Sequence, residues 1–458
     1  MTPAGDAFIA HAQSTTYADL PSVAQTATKT FLLDTLGVGI AGAAVPLTAN
    51  VRQAASSWSD GGGAHLLGPR SLAVSPANAA FINGFQIHCQ EFDCVHEPAV
   101  VHPMATILAA LLAAAEALDD PVPGPDFAAS LAIAVDVASG LGVAATSPLK
   151  FFRPATAGIF GAALGVSKLR RFTSDQMRSA LGYALSFCSG SMQAHTEGKP
   201  ALPVQIANAA RGAIMACDLA AAGLEGPTQM IDGPFGYLSL FEDESRIDPV
   251  IESLGKAWRI AEVSHKPFPT GRAAQGGIVL MQKLRKQGVT ADDVSSIELS
   301  APPLICRLVG RPIRENMTPN YARLCFQYSG AIALMRGMVD LDDFGADRLS
   351  DSTIRELGQR ISVVDNGITN PAAFTPQRAV ATLQNSETVS AEIDSLYGSP
   401  EDPMIHAAHL DKFRSCVAFG FGSDQPERCA RLIALTDELE TLDDISALVK
   451  LASGNEDI

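Results

Sequence analysis

The sequence predicts a mainly α protein, with a large all-α helical domain and a smaller α+β domain. Three observations carry that reading. Up to about residue 260 nearly every segment is rich in alanine and leucine at helical spacing. Between 261 and 400 strand-like stretches alternate with helical ones. The chain has 458 residues, more than a single hydrophobic core organises. Residues 1–260 are therefore assigned to the helical domain and 261–400 to the α+β domain. Residues 401–458 read as helices returning to the first domain.

Within the first part, VAQTATKTFLLDTLGVGIAG, MATILAALLAAAEAL, GIFGAALGVSKLRRF and QIANAARGAIMACDLAAAGL all read as buried helices. Thr173 and Gln176 form a capping box ahead of one such helix. Gly223 and Gly226 close the last of them. So much alanine and glycine allows close helix–helix approach. In the second part VSSIELSAPPL reads as a strand, and RAVATLQNSETVSAEIDSL as a hairpin turning at Asn-Ser-Glu. AAQGGIVLMQKLRKQG, ARLCFQYSGAIALMRG and DSTIRELGQRI read as helices between them.

Composition narrows the function. A formal net charge of −16 repels nucleic acid and anionic membrane surfaces, so neither is expected as a partner. The apolar runs are interrupted by charge short of the ~20 residues a membrane span needs. Eight cysteines without a CxxC pair fit a reducing, cytoplasmic setting, and the first residues lack the pattern of a signal peptide.

The stretch HCQEFDCVHEPAVVH, His88 to His102, is where chemistry concentrates. As a metal site it is poor: its spacing matches no zinc signature, and Pro98 and Pro103 break a ligand-bearing helix. As a polar loop it would serve to start the next helix, with His102-Pro103 at the N-terminus. As an acid–base site it places Glu91, Asp93, His88, His96 and His102 where their pKa values can be moved toward neutrality. Four other segments add cations in loops: Arg153 in FFRPATAGIFG, His195 and Lys199 in QAHTEGKPALP, Lys266 and Arg272 in SHKPFPTGRAAQGG, and Arg323 with Tyr321 and Tyr328 in NYARLCFQYSG. In so acidic a protein they suggest a site for a di- or tricarboxylate.

Taken together, FLLDTLGVGIAGA, NGFQIHCQEFDCVHEPAVVHP, FRPATAGIFGAALGVSKL, IANAARGAIMACDLAAAGLEGP, KPFPTGR, YARLCFQYSGAIALMRG and SLYGSPEDP with DKFRSC resemble the MmgE/PrpD family. That resemblance implies a helical domain built from both chain ends, an α+β lid, a homodimer and no cofactor. It implies removal of a proton next to a carboxylate of a small polycarboxylate, followed by loss of water, loss of CO₂ or reprotonation. The expected catalytic residues are His102, Glu91, Asp93, His96 and Lys199. The expected substrate-binding residues are Arg153, Lys266, Arg272, Tyr328 and His88, and no metal is expected.

Departures from the family pattern shape the reaction. The lyases of the family carry H-x-x-D-F-D-D-T in the first loop, where Glu91, Cys94 and Val95 differ here. Phe152-Arg153-Pro154 stands where Phe-His-Pro is usual, and Gln275 where a histidine follows the lid arginine. Arginine stays protonated and cannot serve as general acid, although it can bind a carboxylate. A lyase is expected by resemblance, with an epimerase of an iminodisuccinate-like dicarboxylate as alternative and a non-catalytic polycarboxylate-binding dimer beyond that. Convergence of Arg153, Arg272 and His102 on one pocket is the structural condition for an enzyme.

Overall fold

The computed structural model describes residues 3–58, 61–69, 73–370 and 372–455, and the chain is mainly helical. The helices Ser22–Gly42, Pro76–His88, Pro103–Ala115, Gly124–Ala144, Gly158–Leu169, Ser174–Phe187 and Ala201–Ala221 pack into one hydrophobic cluster. Pro103–Ala115 is its centre: all thirteen residues are buried, so the helix is apolar all round rather than amphipathic. Gly124–Ala144 is long and apolar enough to cross a membrane by length and composition, against the expectation that every apolar run stops short. It is 94% buried within the protein, and its Asp136 carboxylate is held by the His11 ring and the Arg259 N–H. It is a core helix.

The expected capping box and the Gly223 stop are present, whereas Gly226 lies beyond the helix end at Ala221. Thr173 and Gln176 form the capping box of Ser174–Phe187, and Gly223 adopts a left-handed conformation just after Ala201–Ala221. The helices His406–Phe421, Pro426–Asp437 and Ser446–Ala452 send Phe413, Val417, Leu432 and Leu448 into the same cluster as the N-terminal helices. Close packing of small residues makes this possible. A Cβ at Gly420 would lie 2.3 Å from the Ile40 carbonyl oxygen, so only glycine permits that crossing.

A separate hydrophobic cluster runs from Phe268 to Leu396. Ala64–His65 (β1) and Ala73–Val74 (β2) form a small hairpin elsewhere. The main sheet comprises Val294–Ala301 (β3), Ile361–Asp365 (β4), Gln377–Leu383 (β5) and Thr388–Ile393 (β6). Its order is β4-β3-β5-β6. β3 and β4 are parallel, while β5 and β6 form the expected antiparallel hairpin. The helix Arg272–Lys286 covers this sheet, and its buried N-terminus leads directly from the KPFPTG loop.

Candidate active site

The loop between Pro76–His88 and Pro103–Ala115 brings two imidazoles onto one carboxylate. His88 is the last residue of the first helix and His102 is the N-cap of the second. His88 Nδ1 lies 2.9 Å from Asp93 Oδ2, and His102 Nδ1 lies 3.1 Å from the same oxygen. The rings meet edge to face, with centroids 4.9 Å apart. Asp93 therefore accepts from both Nδ1–H groups, which turns both Nε2 atoms away from it. Two lysines fix the loop from opposite sides. Lys266 Nζ donates to the Glu91 carbonyl and to Glu91 Oε2, both at 3.1 Å, and lies 3.7 Å from Asp93 Oδ1. Lys412 Nζ donates to the Phe92 carbonyl at 3.0 Å and pairs with Asp34 at 2.8 Å. Glu91 has φ +52°, a costly conformation for a side-chain-bearing residue, and Lys266 holds both its backbone and its carboxylate. A two-way backbone pairing of Val95 with Ser264 sets Lys266 beside the loop.

The two histidines are biased in opposite directions. Burial alone would lower the pKa of His88, but the Asp93 and Glu91 carboxylates outweigh it and raise the value. Its place at a helix C-terminus adds to the preference for imidazolium. For His102, burial and the Lys266 ammonium lower the pKa despite Asp93, and a helix N-terminus disfavours the imidazolium further. Burial opposes ionisation of Glu91, yet Lys266 and the two imidazoles depress its pKa to about 2. The same neighbours hold Asp93 well below the usual range. Both carboxylates are anionic at neutral pH. As anions they accept from the surrounding donors, and Asp93 in this way orients both imidazoles. His88, Asp93 and His102 have the atoms to hold a metal ion, but the Lys266 ammonium already contacts both carboxylates.

Comparison with known families fits this architecture. A model of the MmgE/PrpD N-terminal domain matches residues 6–249, and one of the MmgE/PrpD C-terminal domain matches residues 268–438. The chain belongs to the MmgE/PrpD family. Among its relatives, the Mus musculus protein named cis-aconitate decarboxylase is 28% identical over 446 residues, covering 93% of this chain and 88% of the relative. The Homo sapiens protein of that name is 28% identical over 441 residues, covering 93% and 89%. The Yarrowia lipolytica mitochondrial 2-methylcitrate dehydratase is 26% identical over 137 residues, covering 28% and 26%.

For this MmgE/PrpD member, the structure gathers His88, Glu91, Asp93, His102 and Lys266, and leaves the other expected residues outside that cluster. His96 has both ring nitrogens engaged, Nε2 with Glu262 at 2.8 Å and Nδ1 with the Ala99 N–H at 3.2 Å. Lys199 is exposed in the turn before Ala201–Ala221. Arg153 makes a buried two-pronged pair with Glu242, at 2.9 and 2.7 Å. Arg272 is likewise held by Glu97 at 2.7 Å and by backbone carbonyls. Both guanidiniums are thus committed to internal carboxylates, Glu242 and Glu97. Tyr328 donates its hydroxyl to the Asp343 carbonyl at 2.6 Å, a structural role. Arg311, Asp34 and Lys412 escaped the sequence reading. Lys412 lay within the recognised DKFRSC segment, but nothing in the sequence ties it to the Phe92 carbonyl.

Proposed function

We propose that this chain is an enzyme that forms and quenches a carbanion next to a carboxylate of a small di- or tricarboxylate, in the manner of a lyase. The observation that carries the proposal is Asp93 accepting from His88 and His102 at once, with the two imidazoles pushed toward opposite protonation states. Pairs of titratable groups driven apart in pKa mark the acid and the base. His102, neutral with its Nδ1–H on Asp93, is the base at Nε2. His88, favoured as the imidazolium, is the acid.

In a dehydration, His102 Nε2 takes the α-proton, the C–H electron pair passes into an enolate, and hydroxide leaves with a proton from His88. In a decarboxylation, the electron pair left on carbon as CO₂ departs is quenched by the His88 proton. Asp93 stabilises the imidazolium formed on His102, and the Lys266 ammonium beside it is the cation available to offset enolate charge. The full-length similarity to proteins named cis-aconitate decarboxylase supports the lyase reading and a tricarboxylate substrate.

One observation favours an isomerase as the second reading. The segment beside the His88 ring, with Phe152 at 5.8 Å, carries Arg153 where the family's lyases carry histidine. Arg153 is bound to Glu242 and supplies no proton there. An epimerase needs a single acid and a single base, which His88 and His102 provide. Incubation of the purified protein with a panel of di- and tricarboxylates in deuterated water separates these readings. A lyase yields an unsaturated or decarboxylated product. An isomerase returns an intact skeleton bearing deuterium, and neither outcome across the panel would sink both.

A further inference from the structure

Among the described residues, buried arginines generally have partners. Arg153 has Glu242, Arg259 has Glu262 and Arg272 has Glu97. Arg323 is only 4% exposed, yet among the described residues its side chain makes no hydrogen bond or ion pair, and its buried Nε has no acceptor. The guanidinium lies over the Phe344 ring, 4.7 Å from the centroid. Stacking of that kind occupies the flat face and leaves the N–H edge available. The Arg323 carbonyl accepts from the Gly271 N–H, tying it to the loop that carries Lys266 and Arg272.

Arg311, half-buried, is a second arginine that among the described residues has no carboxylate partner. It donates Nη2 to the His195 carbonyl at 2.9 Å, rests on the Tyr321 ring at 5.1 Å, and buries Nη1 without a partner. Its contacts are all uncharged, because burial and Arg311 itself depress the His195 pKa to about 4. The Cys325 thiol donates to the Arg311 carbonyl and Gly310 bridges Cys325, so Arg311 lies against the Arg323 segment that the Gly271 N–H ties to the Lys266 loop. Glu91 and Asp93 already face Lys266 and the His88 ring. The two arginines are therefore surplus positive charge, in a protein whose net charge is −16.

We infer that Arg323 and Arg311 form the anion subsite of the active site, where they receive the non-reacting carboxylates of the substrate in place of Arg153 and Arg272. A buried unpaired cation destabilises the free protein, and a bound carboxylate relieves that cost. Two such cations favour a ligand with at least two carboxylates beyond the reacting centre, hence a tricarboxylate over a dicarboxylate. The inference rests on the proposed function for the identity of the ligand, but not for the presence of the anion site.

Thermal melts with added anions test it on the full chain. The variants are wild type, Arg323→Met, which keeps the packing on Phe344, and Arg311→Gln, which keeps the fold should Arg323→Met not. The probes are propane-1,2,3-tricarboxylate, succinate and inorganic phosphate. Wild type should be stabilised most by the tricarboxylate. Arg323→Met alone should melt at or above wild type and bind the tricarboxylate at least tenfold more weakly, and Arg311→Gln should also bind more weakly. Wild-type affinity retained in both variants would overturn the inference. Arg323-dependent stabilisation by phosphate without any response to polycarboxylates would keep the anion subsite and reject the proposed function. No response to any probe would reject both.

Discussion

The protein assembles the same set of side chains twice, back to back. Around Asp93 lie His88, His102 and Lys266; around Asp34 lie His265, His409 and Lys412. The two sets share backbone, since His265 precedes Lys266 and Lys412 grips the Phe92 carbonyl next to Asp93. In the first, the carboxylate accepts from both imidazoles and the lysine stands further off, at 3.7 Å. In the second, the lysine takes the carboxylate at 2.8 Å and the imidazoles face each other at 3.3 Å. Burial then pushes the His265 pKa down to about 3, so that ring stays neutral and inert. The inventory is the same and the wiring differs. A carboxylate that orients two imidazoles makes an acid–base pair, whereas one neutralised by lysine makes a structural pin for the loop.

Substitution of the two aspartates should break this symmetry most sharply. Asp93→Asn removes the acceptor that fixes both tautomers, and kcat should fall by roughly 10³–10⁴-fold, as in other carboxylate–histidine pairs. Asp34→Asn should leave kcat within about tenfold while lowering the melting temperature, because Lys412 loses its buried counter-ion. Equal losses of kcat in both variants would show that the second cluster is catalytic. Next in size, His102→Gln should lower kcat by about 10²–10⁴-fold with an unchanged melting temperature. His102→Gln should remove the acid limb of the kcat/KM pH profile, and loss of the alkaline limb instead would reverse the base and acid assignments.

The contrast also explains what the sequence disclosed. The helical character, the β5–β6 hairpin and the capping box at Thr173 are local patterns, and all were legible. So was the cluster His88–Asp93–His102, because one loop carries it. Charge pairing over long sequence separations was not legible. Arg153 and Arg272 resemble substrate-binding arginines until Glu242 and Glu97 are found against them, 89 and 175 residues away. Lys412 and Phe92 are 320 residues apart. Arg323 stood in plain view in NYARLC, but its meaning depends on the absence of a partner, which only packing reveals.

The Arg153–Glu242 pair offers the next test, on stability. Arg153→Met should cost about 3–5 kcal/mol, because it leaves Glu242 buried and uncompensated. Changing Glu242→Gln in the same chain should recover most of that loss. Denaturant unfolding of the two single variants and the double variant gives the coupling directly. Tricarboxylate binding should be retained in the double variant. If it is lost, Arg153 reaches substrate after all and the division between neutralised and available arginines fails.

The smallest effect separates the histidines by pH. His195 and His265 have folded-state pKa values of about 4 and about 3, each set chiefly by burial. Both titrate near 6.5 when unfolded. Above that pH neither state is protonated and the two residues leave stability unchanged. As pH falls below it, the unfolded chain binds protons that the folded chain refuses. Stability should then decline by about 1.4 kcal/mol per pH unit per histidine down to roughly pH 4. The depressed carboxylates Glu91 and Asp93 act lower: their contribution is full above the ordinary carboxylate range and is lost as pH drops toward their folded-state values. His88 has the opposite sign, since its raised pKa supports the fold below 6.5 and that support fades as pH rises through the folded value. Urea midpoints between pH 7 and 4.5 should therefore fall with acidity, and His265→Gln should remove one histidine's share of the slope. An unchanged slope in that variant would mean that His265 accepts a proton in the folded protein, and that the cluster around Asp34 is not the inert counterpart of the one around Asp93.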